Sequence, residues 1–205
     1  MDGQISHILI EFDPHGSLAT THKSQGSDMG LFGGFLGWEA FDERLQDSAE
    51  LIEKAGINIE IEMIPLTASK HPNTYQLTLS SQTECRRMVA ISTGGGMIEV
   101  ISIDGANVSM AGDYYETLIY CDTPEKLNAY IKEVFDFDSM EWHPGEYPFI
   151  EIKAQQFLPD DICNELLAFA EVHRVKKLAP VLPIMARKDL TVPFITVEEM
   201  LRFNK

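Results

Sequence analysis

From Asp113 onward the chain changes its apolar periodicity in a fixed order: strand, helix, strand, strand, helix, strand. Glu116 to Cys121 is a short apolar run of strand length. Asp122-Thr123-Pro124 then starts a helix through about Val134, with Leu127, Tyr130 and Ile131 on one face. Asp138 to Trp142 and Phe149 to Phe157 read as strands around the turn His143-Pro144-Gly145. Pro159 to Val175 reads as a helix with Ile162, Leu166, Phe169 and Ala170 inward, and Ala179 to Met185 as a last strand. This β-α-β-β-α-β order is the ferredoxin-like plan.

The first half is also mixed. Ile5 to Phe12 reads as a mostly buried strand, broken at Asp13-Pro14-His15-Gly16. Met29 to Trp38 is apolar but carries Gly30, Gly33, Gly34 and Gly37. Each interior helix glycine costs about 1 kcal/mol relative to alanine. The segment is therefore either a helix that lies close to a sheet or ligand, or a loop over a site. Phe41 to Ala55 predicts an amphipathic helix with Phe41, Leu45, Ala49 and Ile52 on one face, stopped by Gly56. Ile57 to Ile64 alternates with period two, and a strand with Tyr75, Leu77 and Leu79 follows His71-Pro72-Asn73-Thr74. Cys85 to Ser92 and Met97 to Ile103 are strands interrupted by Thr93-Gly94-Gly95-Gly96, and Asp104-Gly105 is a hairpin turn into Ala106 to Met110. The fold class is α/β (α+β), with one unit over 1–111, a second over 112–185, and an arm or linker over 186–205 that carries a helical pattern from Val197 to Phe203.

Net charge and cysteines narrow the classes of function. A net charge of −16 argues against nucleic-acid backbones and anionic membrane surfaces as partners. The start, Met1-Asp2-Gly3-Gln4, lacks a basic then apolar leader pattern, so the expected location is cytoplasmic. Cys85, Cys121 and Cys163 are far apart and odd in number, which reads as buried thiols rather than a disulfide framework or a cluster site.

The loop Gly16 to Asp28 concentrates the residues that could carry chemistry. Lys23 could neutralise a carboxylate or phosphate, and Ser17, Ser24, Gln25, Ser27 and the backbone at Gly26 could hydrogen-bond a small anion. Asp28 could hold an ammonium group or cap the next helix, and a polar capping loop accounts for the same residues without a ligand. His71 and Asn73 stand on a proline-fixed turn that could face a cleft, or could be only a turn. Gly94 and Gly95 mark a bulge or a close backbone approach; a phosphate loop is excluded because a strand, not a helix, follows. His22, His143 and His173 read as surface histidines, no pair has metal-ligand spacing, and no nucleophile–base pair is legible. No catalytic residue and no metal ligand is therefore assigned.

Taken together, these blocks resemble the beta chain of the iron–sulfur-dependent L-serine dehydratases. The family pattern runs Gly-Ser-Leu-Ala, Lys-Gly-His-Gly-Thr-Asp, His-Pro-Asn-Thr and Ser-Ile-Gly-Gly-Gly. Here it appears as Gly16 to Ala19, Lys23-Ser24-Gln25-Gly26-Ser27-Asp28, His71 to Thr74, and Ser92-Thr93-Gly94-Gly95-Gly96. The resemblance implies an allosteric substrate-binding domain followed by an ACT-like domain. It implies L-serine or a similar small amino acid as ligand, near Ser17, Lys23, Gln25, Ser27, Asp28, His71, Asn73, Gly94 and Gly95. It also implies an L-serine ammonia-lyase reaction to pyruvate and ammonia. The [4Fe–4S] cluster would sit on a separate catalytic alpha chain, with no cofactor in this one.

The departures point away from catalysis by this chain alone. Gln25 stands where the family has a histidine; an amide cannot move a proton, and losing such a group costs roughly 10²–10⁴-fold in rate. The family's Pro-Ser-Ser-Ser-His-Thr segment, expected before the first strand, is not among these residues. In the ACT signature Asp-x-Pro-Gly, here Asp122-Thr123-Pro124-Glu125, Glu125 replaces the glycine that admits an amino acid. The expected role is a non-catalytic component, inactive in isolation. The alternatives are a stand-alone amino-acid or small-anion sensor, and a divergent enzyme for another hydroxy or amino acid. A homodimer by edge pairing fits each of them.

Overall fold

The computed structural model describes residues 4–68, 70–181 and 196–203. Strand β1 (His7–Phe12) buries Ile8, Ile10 and Phe12 almost completely on one face, as its alternation demands. It lies inside a sheet formed with β2 (Asn58–Met63), β3 (Thr74–Ser80), β4 (Cys85–Gly94), β5 (Met97–Ile103) and β6 (Ala106–Met110). The order is β2-β1-β3-β4-β5-β6. Only β2 runs parallel to its neighbour, with Ile8 opposite Ile59 and Ile10 opposite Ile61; the other pairs are antiparallel. The rung Phe12–Tyr75–Ala90–Val100 crosses four strands on a single face.

Helices α1 (Leu18–Thr21), α2 (Ser27–Phe35) and α3 (Ser48–Lys54) cover that face. Leu18, Phe32 and Ile52 pack with Ile8, Ile10, Phe12, Tyr75 and Leu77. Each such side chain contributes about 1.5–3 kcal/mol on full burial. The glycine-rich segment is therefore a helix, and Gly33 is where Leu45 packs against it.

The helix expected over Phe41 to Ala55 is interrupted. Glu43–Asp47 is a 3₁₀ turn, α3 begins only at Ser48, and Phe41 is 85% exposed instead of inward. The reason lies in the acidic and hydroxyl residues. Asp42 accepts the Arg44 N–H as an N-cap and is gripped again by the guanidinium, whose plane lies 4.4 Å from the Trp38 ring centre. The Arg44 hydrogen bonds hold the Asp42 carboxyl down at about 2. Asp and Ser favour caps over helix interiors, so the 3.6-residue apolar period is broken at Asp42 and again at Asp47-Ser48.

The second sheet contains β7 (Tyr115–Cys121), β8 (Ser139–His143), β9 (Phe149–Ala154) and β10 (Val172–Leu178), in the order β10-β7-β9-β8, all antiparallel. With α4 (Glu125–Val134) between β7 and β8 and α5 (Asp160–Leu167) between β9 and β10, the unit has the expected ferredoxin-like order. Two boundaries differ from expectation. The second helix stops at Leu167 rather than Val175, and the last strand is Val172–Leu178 rather than Ala179 to Met185. Tight turns donated by Ala168, Phe169 and Val172 end the helix. Val172 and Val175 are β-branched and pair with β7, while Arg174, Lys176 and Lys177 provide the charged character of an edge strand. Ala179 to Val181 form no strand, and 182–185 lie outside the described residues.

β7 and β9 are buried on both faces. Ile119, Cys121, Ile150 and Ile152 pack against Leu127, Ile131 and Leu166 of the helices. The alternate residues Leu118, Tyr120 and Phe149 pack against Met110, Val100, Ile103 and Val108 of the first sheet. Arg86 crosses between the sheets: its guanidinium lies 4.9 Å from the Tyr120 ring and 4.0 Å from the Tyr147 ring, and it pairs with Asp104 at 3.3 Å. Arg174 pairs with Glu84 in the same region. The buried face of β7 and β9 also carries Glu116 and Glu151, and burial together with the Glu151 charge pushes the Glu116 carboxyl up to about 8.

Helix α6 (Val197–Phe203) occurs where the helical pattern placed it. A reciprocal cap starts it, with the Glu199 N–H donating to Thr196 Oγ1 at 3.2 Å and the Thr196 N–H to Glu199 at 3.0 Å. The rest of the expected arm, 186–195 and 204–205, lies outside the described residues. No helix among the described residues is long and apolar enough to cross a membrane.

Candidate functional site

The chain leaves β1 at Phe12 and turns at once around Asp13. One Asp13 oxygen accepts the His15 N–H, at 2.9 Å, and its imidazole, at 2.8 Å; the other accepts the Leu66 N–H at 2.9 Å. These bonds, first among them the His15 and Leu66 amides, hold the Asp13 carboxyl below its ordinary range. Asp13 thereby ties the end of β1 to the segment after β2, and delivers Gly16 to the turn that precedes β3. There the Gly16 backbone lies against the Pro72 carbonyl: a Cβ at this position would sit 2.1 Å from that oxygen. The contact brings Ser17 and Leu18 to Asn73, whose side-chain oxygen accepts the Ser17 hydroxyl at 3.1 Å and the Leu18 N–H at 3.3 Å. The Asn73 N–H donates to His71 Nδ1 at 3.2 Å, and its carbonyl accepts the Ser92 N–H at 2.9 Å. Its amide nitrogen makes no bond within the described residues.

These contacts form one wall of a cleft of about 680 Å³, a size usual for a small-molecule site. The first turn of α2 forms a second wall, where Gln25 donates to Ser27 Oγ at 3.0 Å. The tip of the β4–β5 hairpin forms the third. Gly94, Gly95 and Gly96 have φ of 99°, 63° and 81°, and Gly95-Gly96 form a two-residue turn that side-chain-bearing residues rarely adopt. Phe12, Leu18, Leu31, Tyr75 and Ile98 supply the apolar surface. Burial pushes the Tyr75 phenol up to about 12, so it keeps its proton at neutral pH.

Ser17, Gln25, Ser27, Asn73, Gly94 and Gly95 are thus brought together, although they are distributed over nearly eighty positions. Lys23, Asp28 and His71 do not line the cleft. Lys23 is exposed, and His71 braces the Asn73 turn through its ring and through its carbonyl, which accepts the Thr74 hydroxyl at 2.6 Å. Asp28 accepts from His22 Nδ1 at 2.6 Å, with both side chains mostly buried, and the His22 ring stacks on Phe12 at 4.9 Å. The grip of a cation and a carboxylate expected from this loop gives way to a cleft in which, among the described residues, no lining residue is Asp, Glu, His, Lys, Arg or Cys. Such a site can orient and desolvate a polar molecule, but it holds no group that exchanges a proton near neutrality.

The sequence missed three contributors: Asp13, the His22–Asp28 pair, and the apolar floor at Phe12 and Tyr75. The alternation in β1 signalled Phe12. The pairing of residues 22 and 28 depends on a reverse turn that no periodicity marks. Of the histidines read as surface residues, only His173 is well exposed, paired with Asp122 at 2.8 Å; His143 is buried and donates to Glu151 at 2.7 Å.

The cysteines do not suit a cluster. Cys121 and Cys163 lie within the helix–sheet core, where burial pushes the Cys121 thiol up to about 11, and Cys85 is exposed on the other sheet. A thiol reagent at pH 8 is expected to modify Cys85 rapidly in native protein, and Cys121 and Cys163 only after denaturation. Mass spectrometry of the labelled chain checks this; fast native labelling at either buried position contradicts the packing.

Fold and cleft define a two-sheet α+β protein with a cleft of small-molecule size at the carboxyl end of β1. No family model matches the chain. Over 183 residues, 84% of this chain and 80% of the other, it is 28% identical to a Bacillus subtilis (strain 168) protein described as "Probable L-serine dehydratase, beta chain". Over 126 residues, 61% of this chain, it is 32% identical to the "L-serine dehydratase, beta chain" of Peptoniphilus asaccharolyticus, and spans 57% of that protein. By both matches the chain is similar to L-serine dehydratase beta chains, and divergent from them.

Proposed function

We propose that this chain is a non-catalytic beta component of an iron–sulfur L-serine dehydratase. It works with a separate alpha chain that carries the [4Fe–4S] cluster and converts L-serine to pyruvate and ammonia. One observation supports this reading above the others: the cleft collects six of the residues implied by the family pattern and contains no proton-transfer group. Gln25, in the place of the family histidine, is fixed against Ser27 and can only hold a ligand. The cleft then takes L-serine or a similar small amino acid through hydroxyl, amide and backbone groups. The second unit is ACT-like, with Glu125 as the first residue of α4 where the signature has glycine. A cytoplasmic location and a homodimer through an exposed strand edge are compatible with this role.

The alternative, a stand-alone amino-acid or small-anion sensor, is favoured by the same neutral cleft. One experiment separates the two. The full chain is purified alone and with a cysteine-rich alpha-like dehydratase chain, and pyruvate release from L-serine is assayed. Turnover is expected only for the mixture. Pyruvate from the isolated chain overturns the non-catalytic role, and calorimetric binding of serine without any association with the alpha-like chain favours the sensor.

A further inference from the structure

The buried face of the second sheet holds a side-chain cluster that the cleft does not use. Glu141 on β8 stands directly opposite Glu151 on β9, and His143 lies two residues along β8. By the period of a strand, Glu141 and His143 share a face. One ligand atom from each of Glu141, His143 and Glu151 (a carboxylate oxygen or an imidazole nitrogen) lies within 4.8 Å of the other two. His143 and Glu151 are only 8% and 3% exposed, whereas Glu141 is exposed and opens the cluster to solvent.

The cluster is short of positive charge. Glu151 Oε2 accepts from His143 Nε2 at 2.7 Å, but its other oxygen, Oε1, is buried without a hydrogen bond. Lys153 lies 3.3 Å from that oxygen without hydrogen-bond geometry, and its ammonium donates to the Ser109 carbonyl. On the neighbouring strand Glu116, 2% exposed, has its own buried oxygen unbonded. Burying carboxylates costs several kcal/mol each unless they are paired or bind a metal. Glu141 and Glu151 here face a single lysine and a single imidazole.

We infer that Glu141, His143 and Glu151 form a binding site for a divalent transition-metal ion, with zinc as its reference occupant, at the junction of the two sheets. An imidazole and two carboxylates are a donor set suited to zinc and to related N/O-preferring ions. The ion takes the place of the hydrogen between His143 Nε2 and Glu151 Oε2 and gives the orphaned Glu151 oxygen a partner. It enters from the Glu141 side and staples the edge strand β8 to β9.

The test uses untagged full-length chain, dialysed against chelator and titrated with zinc chloride by calorimetry, with thermal unfolding followed in parallel. One saturable zinc per chain and a raised unfolding midpoint are expected. Glu141→Gln, at an exposed position that leaves the fold intact, is expected to weaken binding by at least about tenfold. His143→Gln is expected to do the same, and the exposed Glu62→Gln to leave binding unchanged. No saturable zinc binding by the parent chain overturns the site. So does parent-like affinity in both cluster variants, which would place the zinc elsewhere, for instance at the exposed His173–Asp122 pair.

Discussion

With the cleft as the proposed L-serine site, replacing Gly16 by alanine is expected to lower L-serine affinity roughly a hundredfold or more while the second sheet stays folded. The added Cβ would sit 2.1 Å from the Pro72 carbonyl oxygen and 2.6 Å from Asn73 Oδ1. The first obstacle is backbone and cannot rotate aside, so the loop must lift from the turn before β3. Overpacking of this kind costs about 1–3 kcal/mol. Lifting the loop also breaks the Ser17 and Leu18 bonds to Asn73, each worth about 1 kcal/mol. The sum is about 3–5 kcal/mol, read as lost denaturant stability if the loop is forced into place and as roughly a hundredfold or more in affinity if it lifts. Gly30→Ala is the matched control. It lies on the same cleft wall within α2, a Cβ there meets nothing within 4 Å, and alanine is the better helix former by about 1 kcal/mol. Calorimetry with L-serine on the parent and both variants decides the matter. If Gly16→Ala binds within threefold of the parent, the Gly16–Pro72 contact does not organise the site.

A second large effect concerns pH. In the metal-free protein, stability is expected to fall as pH rises from about 4.5 to about 8, and then to level off. The folded chain holds the Glu116 proton up to about 8, because burial and the Glu151 charge disfavour ionisation, whereas a free glutamate carboxyl releases it near 4.5. Between those values the folded state binds more protons than the unfolded one, so each step upward in pH favours unfolding. The contribution is complete below the lower value and lost above the upper one; its size is on the order of a few kcal/mol. Glu116→Gln supplies a permanently neutral side chain of similar shape. Urea denaturation in chelator across this range is expected to show a shallower pH slope for the variant and greater stability than the parent at pH 9. Parallel slopes for the two proteins would show that Glu116 does not carry the dependence.

What the sequence revealed and what it concealed divide along a physical line. Period-two strands with one buried face, such as Ile8-Ile10-Phe12 and Tyr75-Leu77, were legible because each side chain reports its own environment. The ferredoxin-like order was legible for the same reason. The boundaries failed where two tendencies competed. Asp42 capped a 3₁₀ turn where apolar spacing promised continuous α-helix, and Val172 to Leu178 paired with β7 although Phe169 and Ala170 extended a helical stripe. The small-residue blocks pointed to Ser17, Asn73 and Gly94, which the structure brings to one cleft, because only small or amide groups suit a tight approach. Charge misled: Lys23 and Asp28 looked like a ligand grip, but one faces solvent and the other serves His22. Which way a loop residue turns is set by contacts across fifty positions, such as Ser17 with Asn73, and no local pattern encodes them.

The double burial of β7 and β9 has a consequence for how the molecule is assembled and inherited. With helices on one side and the first sheet on the other, these strands serve two hydrophobic layers at once. A piece ending near residue 111 would display Val100, Ile103 and Met110, and its complement would display Leu118, Tyr120 and Phe149. Neither half carries a finished exterior. Although it reads as two modules in tandem, the two sheets share one apolar layer, and gene rearrangements that separate the modules must also resurface the strands between them.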